Sequence, residues 1–308
     1  MGCRTFQSVT LTVTLALATA LAYAGRAQAQ EMEPRAFSPN PTGVTFVLVG
    51  GARSTGGILT DPSLPVDDVE AQINAGLVGL GHTFSLFGQS ANAGIVLPYL
   101  SGHFSGTIDG EDAHATRQGI GDTKLRISVG LMGAPAMTPA EFAMRTPHTT
   151  LGASLTISAP TGEYHPDKLV NVGTNRWAFK PELGVSHPKG PWTFEATIGA
   201  WFFEDNNEFF GGHHREQDPL ASIQGHVSYT FRPKLWLAIN ATYYDGGRTT
   251  IDGVHKDDRQ SNSRYGLTFS LPIGRSQSLK FNWNDGASTR IGSDFTNYGI
   301  TWQYTIVN

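Results

Sequence analysis

The sequence predicts an all-β protein, a closed antiparallel transmembrane β-barrel of about twelve strands. Three observations point there. From residue 42 onward, segments of about ten residues alternate apolar with small or polar side chains, the period of a strand with one oily face. The 308 residues include 36 Gly, 17 Phe, 9 Tyr and 6 Trp but few charges, a composition that favours strands and turns over helices. Finally, the connections between segments alternate between long and short, as in barrels with short periplasmic turns and long extracellular loops.

The chain opens with an export signal. Arg4 is the only charge before an apolar and Thr run from Val9 to Ala24, and Ala27-Gln28-Ala29 follows as a small-x-small exit. The run falls short of the roughly 20 residues that a spanning helix needs. Residues 1–29 are therefore assigned as a signal peptide, 30–41 as a lead-in and 42–308 as the barrel; a second small-x-small triplet ends at Ala24. The sole cysteine, Cys3, lies in the signal, so the mature chain has no disulfide, thiol nucleophile or Cys-type zinc site. Removing residues 1–29 takes away Arg4 and Arg26 and no acid, leaving 20 basic against 26 acidic side chains, a net charge of −6. That balance gives no support to nucleic-acid binding.

Twelve strands are predicted at 42–53, 70–87, 91–106, 120–132, 148–160, 177–187, 191–204, 219–232, 234–246, 262–273, 277–286 and 295–307. Alternation is sharpest in the second half: Trp192, Phe194, Ala196, Ile198, Ala200 and Phe202 share one face, and Thr193, Glu195, Thr197 and Gly199 the other. Long connections are expected at 54–69, 107–119, 161–176, 205–218, 247–261 and 287–294. Residues 133–147 break the rule with a long connection on the periplasmic side, where Thr138-Pro139-Ala140-Glu141-Phe142 reads as a capped short helix.

Lipid offers backbone groups no hydrogen bonds, so a spanning sheet must close on itself. An even strand number returns both termini to the periplasm, and the protein is expected in the outer membrane. The aromatics Trp192, Phe202, Tyr229, Phe231, Tyr243, Trp302 and Tyr304 fall near the ends of outward faces, as girdle positions do. The inward faces carry Lys124, Arg126, Lys180, Glu182, Glu195, His226, Arg264 and Lys280, candidates for lining the lumen and setting its width and charge preference. They serve equally as pairs that fill and stabilise a closed barrel.

The sequence indicates no catalytic, cofactor or metal site. Loop histidines His114, His165, His213, His214 and His255 lie near Glu204, Asp205, Glu208, Glu216 and Asp218 but match no metal motif, and read as solvated loops. Gly119-Ile120-Gly121-Asp122 reads as a turn before a strand. Expected partners are membrane lipid, lipopolysaccharide and the outer-membrane assembly machinery. The signal for that machinery is degenerate, because the alternating aromatics stop at Tyr304 and Ile306-Val307-Asn308 follow.

Several stretches resemble one family. They are Leu169-Val170-Asn171-Val172-Gly173-Thr174-Asn175-Arg176-Trp177 running into Lys180-Pro181-Glu182-Leu183-Gly184; Trp201-Phe202-Phe203 with Asn206; Phe209-Phe210-Gly211-Gly212; Gln217-Asp218-Pro219-Leu220; Ser228 to Pro233; and Tyr243 to Thr250. Together they are similar to the MetA-pathway of phenol degradation family, over most of 40–308 and most strongly from 149 onward. The resemblance implies a barrel that passes small hydrophobic or aromatic solutes, encoded near pathways for aromatic compounds. The alternatives are a non-transporting surface barrel whose loops bind envelope partners, and an outer-membrane lipid-modifying enzyme. The enzyme would need a Ser–His contact on the outer wall, whereas His226 is predicted inward.

Overall fold

The computed structural model describes residues 32–60, 66–108 and 110–307. The proposed signal peptide lies outside the described residues. Among the described residues seventeen strands are formed: β1 (Val44–Leu59), β2 (Val66–Leu86), β3 (Gln89–Ile108), β4 (Glu111–Ile120), β5 (Thr123–Met132), β6 (Thr150–Ala159), β7 (Ala178–Lys189), β8 (Trp192–Phe203), β9 (Asn206–Phe209), β10 (His213–Gln217), β11 (Leu220–Arg232), β12 (Leu235–Gly246), β13 (Thr249–Ile251), β14 (Val254–His255), β15 (Gln260–Pro272), β16 (Gln277–Ser288) and β17 (Gly292–Val307).

Twelve of them close a barrel in which each strand pairs antiparallel with the next in the wall, and β1 seals it against β17 from Val44↔Val307 to Leu59↔Gly292. β4 and β5 share one place in the wall, for both pair with β3 and only β5 continues to β6. No sheet edge is left through the lower barrel, so every ladder group there has a partner without water. Inward residues are buried and outward residues exposed with period two: Ser222, Gln224, His226 and Ser228 of β11 point inward, and Ile223 and Val227 outward. This reverses a soluble sandwich, where the apolar face would be the buried one.

The end holding Val44 and Val307 carries the tight turns, such as Phe87-Gly88, where Gly88 takes a positive φ of 78°. Helix α1 (Pro139–Met144) lies in the one long connection at this end. Thr138 and Glu141 form its capping box, Thr138 N donating to Glu141 Oε2 at 2.8 Å. That backbone N–H holds the Glu141 carboxyl below its usual range. Met137 O accepts from Thr42 N and Ala136 N donates to Gly88 O, so the connection is tied to the barrel rim.

At the opposite end the wall differs from expectation. Three predicted loops, 54–69, 107–119 and 287–294, are largely strand. β1 and β2 reach Leu59 and Val66, β4 fills 111–120, and β16 and β17 leave only 289–291 between them. On these extensions the outward face is polar: Asp112, His114 and Thr116 of β4 are exposed and alternate with half-buried Ala113 and Ala115, so burial keeps its two-residue period while the oily outer face is gone where lipid no longer imposes it. The connections 204–219 and 247–259 contain a four-stranded sheet of their own, ordered β14-β13-β10-β9.

Candidate functional site: the barrel interior and its wall

Seen from the terminal end, the chain's own lead-in lies inside the barrel against the wall from β5 to β12. Residues 33–38 alternate Glu33, Arg35 and Phe37, and each meets the wall. Glu33 pairs with Arg126 of β5. Arg126 beside it, helped by Lys280 and Lys180, holds the Glu33 carboxyl below its usual range against the opposing effect of burial. Arg35 takes a left-handed backbone (φ 67°) and donates its N–H to Glu195 Oε2 at 2.6 Å. Its guanidinium donates to Ser228 Oγ at 3.2 Å and Thr230 Oγ1 at 2.6 Å, and lies 4.5 Å from the centre of the Trp236 ring. Burial lowers the pKa of that guanidinium, with Glu195 opposing the shift.

Phe37, 9% exposed, fills a notch made by two glycines. A Cβ on Gly152 of β6 would stand 2.8 Å from Phe37 Cδ1, and one on Gly184 of β7 would overlap the ring. Thr150 Oγ1 donates to Phe37 O at 3.0 Å, and Ser38 Oγ donates to Glu195 Oε1 at 3.3 Å. The lead-in is thus a plug fitted by charge, hydrogen bonds and one ring.

The eight inward candidates fall as follows. Lys180, Glu182, Glu195, His226 and Arg264 are buried; Lys124, Arg126 and Lys280 are partly so. Lys180 Nζ and Glu182 Oε1 pair at 2.7 Å, and Arg126 approaches Glu182 at 3.5 Å. His226 Nδ1 meets Asn240 Oδ1 at 2.9 Å, and Asn240 Nδ2 donates to Thr268 Oγ1 at 2.9 Å, a ladder across β11, β12 and β15. Arg264 donates to Asn284 Oδ1 at 2.9 Å and to Phe295 O. Of the aromatic candidates, Trp192, Tyr229, Phe231, Trp302 and Tyr304 lie at the terminal end of the outer face, and Phe202 and Tyr243 at the other. Trp192 and Tyr229 meet edge to face at 4.9 Å, and Trp302 stacks on Tyr304 at 6.1 Å.

Towards the loop end one side of the interior, along β1 to β3 and β17, turns apolar. Ile58, Val69, Ala71, Ile73, Phe104 and Phe295 from the wall bury against Val170 and Ile291. Val170 belongs to the connection 160–177, which folds back onto the wall. The anchor is Asp122, fully buried at the break between β4 and β5. Its Oδ1 accepts from Gly162 N at 3.0 Å, and its Oδ2 from Thr174 N at 2.9 Å and Thr174 Oγ1 at 2.6 Å. Gly119-Ile120-Gly121-Asp122 is therefore more than a turn. It is also where the wall changes character: β4 has β3 on one side and, among the described residues, no strand on the other. Residues 160–177 cover that edge, with Glu163 N donating to Ile120 O and Arg117 Nε to Val170 O.

Sequence reading missed Glu33, Arg35, Phe37 and Asp122. The every-second-residue spacing of the first three was the available signal. Two loop histidines meet nearby acids and amides: His213 meets Asp252, and His214 meets Asn207, Glu216 and Asp205. His214 N, with His213, keeps the Asp252 carboxyl below its ordinary range. Among the described residues no three such groups are arranged to hold a metal ion.

A closed twelve-stranded barrel with an apolar outer face and its own N-terminal lead-in folded inside defines an outer-membrane β-barrel. The chain belongs to the family described as "Putative MetA-pathway of phenol degradation", whose model matches residues 48–300. Among solved structures it is similar to the COG4313 outer membrane channel from Pseudomonas putida F1, at 23% identity and TM-score 0.75, over 90% of this chain and 100% of that one. It is more distantly similar to the transport unit of the autotransporter AIDA-I from Escherichia coli, at 9% identity and TM-score 0.50, over 95% and 98% of the two chains. No curated protein matches the sequence.

Proposed function

We propose that the barrel passes small hydrophobic or aromatic compounds, single-ring solutes above all, passively across the outer membrane, and that it is not an enzyme. The observation that carries this reading is the division of the interior. The terminal half is charged and holds residues 33–38 against its wall, while towards the loop end one side, over β1 to β3 and β17, is apolar and adjoins a stretch of wall closed by a loop instead of a strand. An apolar solute gains by leaving water for such a surface, and a loop is more easily displaced than a paired strand. Membership of a phenol-degradation family and the likeness in fold to an outer membrane channel agree with it.

On this reading Lys124, Arg126, Lys180, Glu182, Glu195, His226, Arg264 and Lys280 line the path and filter by charge. The aromatic rings at both ends of the wall sit at the two bilayer surfaces. Lipopolysaccharide surrounds the loop end, and the outer-membrane assembly machinery inserts the chain. His226 hydrogen-bonds to Asn240 inside the barrel, which supports a wall role for it.

Liposome uptake is the test. Vesicles holding the protein should take up phenol or toluene faster than empty vesicles while passing ions poorly. Uptake no faster than that of empty vesicles would leave a surface barrel as the better description.

A further inference from the structure

A cavity of about 200 Å³ lies where the free edge of β4 faces the connection 160–177. Thr116, Arg117 and Gln118 line it from the strand, and Glu163, His165, Lys168, Asn171 and Val172 from the connection. We propose that this cavity binds the anionic group of a small single-ring carboxylate such as benzoate, as a capture site at the entrance to the apolar interior. The proposal rests on the channel reading above and names a solute class for it.

Four observations support it. First, the charge is in surplus: Arg117 and Lys168 face one carboxylate, Glu163, and His165 adds a further donor or cation. The Glu163 carboxylate lies over Gly119, in the space a Cβ there would take.

Second, the cavity is prebuilt. Asn171 staples residues 165–171 into a turn: its Oδ1 accepts from His165 N at 2.8 Å, and its Nδ2 donates to Lys168 O at 2.8 Å and His165 O at 3.0 Å. Arg117 is fixed by Nε to Val170 O at 2.7 Å and Nη1 to Thr116 O at 2.7 Å, leaving Nη2 for a ligand. Ordering costs on binding are correspondingly small.

Third, the cavity is amphipathic in the sense a ring acid requires. Val172 forms its apolar side, and its neighbour Val170 belongs to the buried cluster with Phe104 and Phe295. Residues 116–118 lie further out along the wall than Tyr99, which pairs with Ile120 and is exposed on the outer face. If such rings mark the bilayer surface, the cations stand just beyond the hydrocarbon, where an anion keeps its charge while its ring enters apolar surroundings. Fourth, the volume is below the roughly 300–1000 Å³ of sites for drug-sized ligands, which suits one ring and one carboxylate.

The test is calorimetric titration of the full-length protein in detergent with benzoate, inorganic phosphate and benzyl alcohol, for the wild type, Lys168→Gln and Lys168→Glu. Lys168 holds the turn through its backbone, so these variants keep the fold, which the resistance of the barrel to heat in sodium dodecyl sulfate verifies. Benzoate should bind the wild type, weaken roughly tenfold in Lys168→Gln and be lost in Lys168→Glu, with benzyl alcohol binding far less. Phosphate binding tighter than benzoate would overturn the proposal in favour of a site for lipopolysaccharide phosphates. Benzoate affinity equal in all three proteins would overturn it outright. Phenol uptake by liposomes carrying the wild type separates the two readings. If the wild type takes up phenol yet binds no benzoate, only the capture site fails; if the wild type takes up no phenol, the channel reading fails.

Discussion

Arg35, in the segment before the first strand, donates its backbone N–H at 2.6 Å to the carboxylate of Glu195 near the start of β8, 160 residues away. The same carboxylate accepts from Ser38 at 3.3 Å, so one buried side chain holds two points of the plug. Replacing Glu195 with Ala removes both hydrogen bonds and leaves the Arg35 charge without its counter-ion. The barrel strands keep all their ladder bonds. Glu195→Ala should therefore insert normally but show larger and noisier single-channel conductance in planar bilayers, with selectivity shifted towards anions. Loss of the folded barrel in that variant would assign Glu195 to structure instead.

Phe37 and its glycine notch give a second route to the same state. Phe37→Ala empties the space between Gly152 and Gly184; truncating a buried Phe to Ala typically costs about 3–5 kcal/mol, here charged against docking of the plug. Gly184→Val fills the notch from the wall side and displaces the ring. Each variant alone should raise conductance, and Gly184→Val should add little to Phe37→Ala, because the ring it expels is already gone. Full additivity in the double variant would contradict the notch.

How much of this was legible in the sequence depends on what enforced each pattern. The strands from Trp192 to Phe203 and Leu220 to Arg232 were readable because lipid outside and polar groups inside dictate a strict two-residue period. β4 was not, because its outward residues Asp112, His114 and Thr116 stand clear of the bilayer and are polar, and only small alanines alternate with them. The capped helix at Thr138 was readable because its signal is local, four residues long. The plug was not: Glu33, Arg35 and Phe37 have meaning only against Arg126, Glu195 and Gly184, more than ninety residues away. Asp122 looked like a turn residue because its partners, Gly162 and Thr174, come from a connection without periodicity.

The plug should respond to acid. The Glu33 carboxyl is held below the ordinary value of about 4.3 by Arg126. A group with a depressed value contributes its stabilisation above the ordinary range and loses it as pH falls through the lowered value. Conductance should therefore stay low at neutral pH and rise only below about pH 4. Glu33→Gln should be more conductive at neutral pH and lack that step. An identical acid step in Glu33→Gln would move the titration to another group.

The outer face offers a test of depth. Ile198 is 55% exposed midway along β8, between Leu183 on β7 and Ile223 on β11. Both neighbours point outward as well, so an arginine here finds lipid on all sides. Ile198→Arg should destabilise the folded barrel by roughly 2–4 kcal/mol, the cost of a cation near the bilayer midplane. Arginine at Ile120, beside the connection 160–177, should cost much less. Equal costs in reversible denaturant unfolding from lipid vesicles would place the bilayer elsewhere on the wall.

Asp122 decides whether the connection 160–177 seals the wall. Its two oxygens take three hydrogen bonds at a fully buried position, two of them from backbone N–H groups. Asp122→Ala strips all three and leaves the Gly162 and Thr174 N–H groups without their acceptor, at about 1–3 kcal/mol for each unsatisfied buried group. Gly162 and Gly173 sit so close that a Cβ on either would stand 2.7 Å from the other's backbone, and the segment has no second way to pack there. The barrel strands below Thr123 are untouched, so the variant should still resist heat in sodium dodecyl sulfate. Trypsin added outside liposomes should now cut after Lys168 or Arg176, both protected in the wild type by the folded connection. Faster phenol uptake should accompany the cleavage-prone state if the loop-closed wall is the solute's way out of the interior. Cleavage without faster uptake would keep Asp122 as the anchor and move the exit to the lumen.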